Sequence, residues 1–101
     1  MTERINEKIV SPELDSLFDA LLTLTDRDQC YRFFSDLCTF TELDAMGQRF
    51  AVAKMLKSGY TYSEIGKKLG ASSATIGRVN RALSYGAGGY ASVLESSEEN
   101  K

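Results

Sequence analysis

The chain has 101 residues, 43% hydrophobic and 26% charged, with a net charge of −2, which fits one soluble domain and is too short for two. There is no histidine, so the commonest general base and metal ligand are absent. No stretch approaches the 18 or so apolar residues of a transmembrane span, and Met1-Thr2-Glu3-Arg4 lacks the basic-then-apolar pattern of a secretion signal, so no membrane contact and a cytoplasmic location are expected.

Helix signals follow one another along the chain. Ser11-Pro12-Glu13 offers an N-cap, a proline at the first helical position and an acid in the first turn, and Leu14, Leu17, Phe18, Leu21 and Leu22 continue at helical spacing. Thr25-Asp26-Arg27-Asp28 reads as the next start, with Thr25 as cap and a stripe of Cys30, Phe33, Phe34, Leu37 and Cys38. Thr41-Glu42-Leu43-Asp44 repeats the device ahead of Leu43, Met46, Phe50, Ala53 and Leu56, and Gly59 ends that helix. Thr61-Tyr62-Ser63-Glu64 is a full Thr-x-x-Glu capping box opening a short helix with Ile65 and Leu69 inside, stopped by Gly70. Ser72 or Ser73 caps a last strong helix with Ile76, Val79 and Leu83 on its inner face, before Gly86, Gly88 and Gly89 break the chain. Tyr90, Val93 and Leu94 suggest a further turn or two, and residues 1–10 and 96–101 are expected as flexible ends of a single 11–95 domain. No strand pattern competes, so the fold class is all-α.

Two cysteines, Cys30 and Cys38, lie eight residues apart on one predicted helix, about 12 Å along its axis, too far for a disulfide. Without histidine they also make a poor zinc site, and buried core thiols are the expected role. The first three helices are short and apolar on one side, and Phe18, Tyr31, Phe33, Phe34, Phe40 and Phe50 are concentrated there. One copy cannot cover those stripes, so a homodimer is expected.

The net charge conceals a segregation. Residues 1–48 carry four basic side chains against ten acids, whereas residues 49–81 carry seven (Arg49, Lys54, Lys57, Lys67, Lys68, Arg78, Arg81) against Glu64 alone. A basic third in an otherwise acidic chain suggests a polyanion partner. Within it, residues 61–84 read as a helix-turn-helix. Gly66 stands where the second helix must cross the first, Gly70 supplies the turn, and Ile76 and Val79 face inward. The outer face carries Ser73, Ala74, Gly77, Arg78 and Arg81: short side chains that let the backbone approach base edges, then two long basic ones. Ser72 and Thr75 complete the start of this helix, and Lys67 and Lys68 precede it, placed for phosphate contact or for plain solubility. The predicted partner is double-stranded DNA. No nucleophile–base pair and no metal-ligand set is visible, so an enzyme is not expected, and Gly86-Ala87-Gly88-Gly89 lacks the strand and lysine of a nucleotide loop. A helical dimer that binds a protein partner without operator specificity is the alternative.

Met46-Gly47-Gln48-Arg49, Lys57-Ser58-Gly59, Leu69-Gly70-Ala71 and Ala74-Thr75-Ile76-Gly77-Arg78 resemble the tryptophan repressor, with ungapped spacing from Leu43 to Leu83. The closer resemblance is to Trp-repressor-related proteins of the YerC/YecD type, over roughly residues 14 to 95. It implies an intertwined all-helical homodimer with a helix-turn-helix at each end, and DNA-binding transcriptional regulation, in the sense of repression. It also implies a ligand position. Arg49 and Arg78 match the two arginines that sandwich the indole of tryptophan in the repressor. Val79 stands where the repressor has glycine beside the indole, and Ala82 where it has a serine near the amino group. Valine fills space the indole needs and alanine has no hydroxyl, so no tryptophan co-repressor is expected and the effector stays unnamed. Two uses fit Arg49 and Arg78: holding a smaller anion, or pairing with acids such as Glu42 or Asp44.

Overall fold

All but the last α-helix start where a side-chain oxygen takes over backbone N–H groups that the first turn leaves free. The computed structural model describes residues 6–99. A short 3-10 turn, Glu7–Ile9, leads into six α-helices: α1 (Pro12–Leu21), α2 (Arg27–Leu37), α3 (Phe40–Lys57), α4 (Tyr62–Leu69), α5 (Ser73–Tyr85) and α6 (Gly89–Glu99). Among the described residues there is no strand, as the all-α reading requires, and no helix is long and apolar enough to cross a membrane.

Three expected starts hold: Ser11 caps α1 with Pro12 in the first turn, Thr61 caps α4, and Ser72, not Ser73, caps α5. Two shift. The cap of α2 is Asp26, whose carboxylate accepts from the Gln29 backbone N–H at 2.8 Å, while Gln29 folds back to accept from the Thr25 N–H. The cap of α3 is Thr39, not Thr41. Thr39 and Glu42 form a reciprocal box, with the Thr39 N–H donating to Glu42 Oε1 at 2.8 Å and the Glu42 N–H donating to Thr39 Oγ1 at 3.1 Å. Thr41 is followed three residues later by Asp44, one methylene shorter than glutamate and less able to reach back, so the glutamate box wins. At the other end, α6 continues to Glu99, well beyond the expected turn or two. Residues 1–5, 100 and 101 of the expected flexible ends lie outside the described region.

The core sits entirely in the second half of the chain. Val52 and Ala53 of α3, Ile65 of α4, Ala71 of the following turn, Ile76 and Val79 of α5 and Leu94 of α6 are buried, with Met55, Leu56, Leu69, Leu83 and Tyr90 packed against them. Gly86 turns the chain from α5 into α6, and a methyl group there would collide with the Ala82 carbonyl, so only glycine fits.

Helices α1 and α2 contain no buried residue. Phe18 is 51% exposed, Leu37 48% and Phe40 83%, although each belongs to an apolar stripe or opens the next helix. Cys30 and Cys38 are free and only half-buried, so the expected buried thiols are not observed. Between α2 and α3 runs an open trough of about 450 Å³ lined by Arg27, Cys30, Tyr31, Phe34, Leu43 and Gly47. The helix α3 therefore has two apolar sides. Its C-terminal half closes the core, and Leu43, Met46 and Phe50 are left half-buried or exposed.

Candidate nucleic-acid interface

The basic segment is built on the closed core of the second half. Thr61 and Glu64 box the start of α4, the Thr61 N–H donating to Glu64 Oε1 at 2.8 Å and the Glu64 N–H to Thr61 Oγ1 at 3.1 Å. Glu64 is the single acid among residues 49–81, and its carboxylate is committed to this cap. Ile65 turns inward and is fully buried. Lys67 and Lys68 occupy the last turn of α4, both exposed, where cations offset the free carbonyls. Gly70 then takes the left-handed conformation, φ 70°, and its N–H closes on the Gly66 carbonyl at 2.8 Å. At Gly66 an added methyl would meet the Ala71 carbonyl oxygen at 3.5 Å, an ordinary contact, so the crossing needs a small residue without demanding glycine.

The turn is held from three sides. Ala71 is buried beneath it, and the Ser72 Oγ accepts from the Thr75 N–H at 3.1 Å and meets Thr75 Oγ1 at 3.1 Å. From α3, Gln48 Nε2 donates to the Leu69 carbonyl at 3.3 Å, linking the turn to the longest helix. Sequence reasoning misses that link. Its signal is a polar side chain four residues before Val52, on the face that otherwise packs against α4 and α5.

Along α5, Ile76 and Val79 are buried, at 1% and 2% exposure. Ser73, Ala74, Arg78 and Arg81 are exposed, Thr75 and Gly77 are half-buried, and Ser72 is exposed at the cap. The expected reading face is thus brought together on one side of α5, with Lys67 and Lys68 on the preceding helix. Arg49 is half-buried on α3. Of its two expected uses, the pairing with Glu42 or Asp44 does not form: Glu42 serves the Thr39 cap, and the ion pair found among the described residues joins Arg32 to Asp28 at 2.7 Å on α2. Val79, expected to intrude on a ligand position, is instead part of the core, and Ala82 is half-buried on the same helix.

The sequence model of the Trp repressor protein family matches residues 12–98. This chain belongs to the Trp repressor family. Within the Trp repressor family it is 46% identical over 95 residues to YerC, an uncharacterized protein of Bacillus subtilis strain 168, covering 94% of this chain and 91% of that one. A Trp repressor candidate from Staphylococcus aureus has a crystal structure that superposes with a TM-score of 0.87 at 50% identity, covering 91% of this chain and 92% of the other. A TrpR-like protein from Eubacterium eligens superposes with a TM-score of 0.86 at 49% identity, covering 90% and 94% respectively. The all-helical Trp-repressor fold read from the sequence is the fold of the chain, and the family it belongs to points to DNA-binding regulation.

Proposed function

We propose that this protein is a homodimeric transcriptional regulator, acting as a repressor, that reads double-stranded DNA through α4 and α5. The observation that carries the reading is the face of exposed Ser73, Ala74, Arg78 and Arg81 with half-buried Gly77 among them, on a helix capped by Ser72, inside a segment whose one acid is occupied. Short side chains at the start of α5 admit it to the major groove, while Arg78, Arg81, Lys67 and Lys68 supply charge for the flanking phosphates. Arg81 suits either a phosphate or a guanine edge. The dimer is supported by the apolar surface of α1, α2 and the start of α3, which one copy leaves uncovered. In a two-fold dimer the two α5 helices would stand about 34–36 Å apart, so the preferred site would be a near-palindrome with half-sites about 10 base pairs apart.

Selection from a random DNA pool tests this, followed by salt titration of wild type, Lys67→Ala and Lys68→Ala. A palindromic site should be enriched, and each lysine variant should weaken all sequences alike, lowering the salt slope by about 0.9 for every phosphate it leaves without a cation. Changes at Ala74 or Gly77 should alter which sequence is preferred. If no sequence is enriched and no salt slope is seen, the protein is a dimeric protein-interaction module instead. We also propose that tryptophan is not its effector, because the Val79 side chain is packed into the core and Ala82 offers no hydroxyl.

A further inference from the structure

Gly77 is the one position on the exposed side of α5 without a side chain, and the space over it is not empty. A methyl group built there would find a single atom from outside the helix within 4 Å: the hydroxyl oxygen of Tyr62, at 4.0 Å. Tyr62 is the first residue of α4, and it remains 41% exposed. The helix start does not need it, since Thr61 and Glu64 already exchange the capping hydrogen bonds. The turn does not use it either, because its side-chain bonds run between Ser72 and Thr75. The phenol therefore lies beside the second turn of α5 with its hydroxyl committed to neither device.

Where that hydroxyl stands decides what it can touch. Ala74, Arg78 and Arg81 are exposed and point away from the buried stripe of Ile76 and Val79, whereas Gly77 is half-buried, between the two. The Tyr62 oxygen thus lies at the flank of the reading face, on the side of α4. When α5 lies in a major groove, its outermost residues meet the floor of base edges and its flank meets the sugar–phosphate wall. We infer that Tyr62 is a DNA-contacting residue whose hydroxyl, lying beside Gly77 of α5, donates a hydrogen bond to a backbone phosphate beside the groove. This rests on the DNA-binding reading above and assigns it a contact from outside the recognition helix. The donor is neutral, so it fixes the register of the protein on the duplex without displacing a counterion, unlike Lys67 or Lys68.

The test is Tyr62→Phe, which keeps the ring and removes only the oxygen, on the DNA site enriched by wild type and on unrelated duplex. Affinity should fall on both, roughly fivefold for each half-site engaged, with an unchanged melting temperature and an unchanged salt slope. A scan in which single phosphates of the site are replaced by neutral methylphosphonate then locates the acceptor. At one phosphate per half-site the replacement should weaken wild type more than it weakens the variant, the two changes being clearly less than additive there, while elsewhere both proteins lose equally. Unchanged affinity of Tyr62→Phe, additive losses at every phosphate, or a loss confined to one sequence, which would mean a base contact, each overturns the inference while leaving DNA binding intact. A wild type that binds no duplex overturns the functional reading and this inference together.

Discussion

The two halves of this chain solve the burial problem differently. From Val52 onward, four helices close around Val52, Ala53, Ile65, Ala71, Ile76, Val79 and Leu94, and the helix-turn-helix stands on that core. Before it, α1 and α2 carry comparably apolar stripes and bury nothing, with Leu22 84% exposed and Tyr31 69%. Sequence hydrophobicity is similar in both halves, so what separates them is the number of partners available within one chain. Two short helices and the face of a third can enclose little, whereas α4, α5, α6 and the end of α3 wrap one another. The acidic, open half has the character of an assembly surface and the basic, closed half that of a binding unit.

The sharpest way to break this comparison is to place a charge in the open half and a cavity in the closed one. In the proposed homodimer the open half would gain its core by sharing it with a second copy, so Phe34→Asp or Leu37→Asp should abolish folding altogether and leave no soluble monomer behind. Circular dichroism and sedimentation equilibrium check this, and a folded monomer of either variant, or of wild type at micromolar concentration, would show that α1 and α2 need no partner. The closed half should respond in a graded way. Ile76→Ala, at a site 1% exposed, should cost about 2–5 kcal/mol in denaturant unfolding through reduced burial and a residual cavity, without changing the oligomeric state found for wild type.

Those two halves are also unequally legible in the sequence. In the closed half the local code is complete: a glutamate box at Thr61, a left-handed stop at Gly70 and a serine cap at Ser72 each fix an element without outside help. In the open half the starts of α2 and α3 fall at Asp26 and Thr39 and not at the expected threonines, since several acceptors compete within a few residues and the reach of Glu42 decides. The apolar spacing of α3 joins Leu43, Met46, Phe50, Ala53 and Leu56 in one stripe, yet only Ala53 and Leu56 of these reach the core, and Val52, outside the stripe, is as fully buried as Ala53. A single periodic stripe cannot show that one helix serves two surfaces. Contacts between elements are invisible to periodicity altogether. Neither the Gln48 link to the Leu69 carbonyl nor the placing of Tyr62 over Gly77 follows from residue spacing within one helix.

A smaller effect is expected where the family's ligand position meets the closed core. Calorimetry with L-tryptophan should register no binding at micromolar concentrations, since Val79 is 2% exposed and its side chain belongs to the packing between helices. Val79→Gly should destabilise the fold, as a cavity and a mid-helix glycine combine. If tryptophan binds that variant and not wild type, Val79 is what keeps the position closed. A micromolar dissociation constant for wild type would show that the core yields around the indole.

The smallest expected effect lies in the open half, in the cap that starts α3. The Thr39 backbone N–H and then its hydroxyl hydrogen-bond to Glu42 and hold its carboxyl below the usual glutamate range, in spite of slight desolvation. A carboxyl depressed in the folded state contributes stability that is fully present above its unfolded value and is lost as pH falls through its folded value. The α3 start should therefore loosen on acidification below the ordinary glutamate range, while at neutral pH it stays closed. Because Glu42 is exposed, the change should be local, seen as faster amide exchange at Phe40 to Leu43 and not as a shift in global unfolding. Glu42→Gln keeps a reciprocal acceptor but removes the titration, so its exchange at those amides should become nearly independent of pH after correction for intrinsic rates. Equal pH dependence in Glu42→Gln and wild type would mean that another acid governs the start of α3.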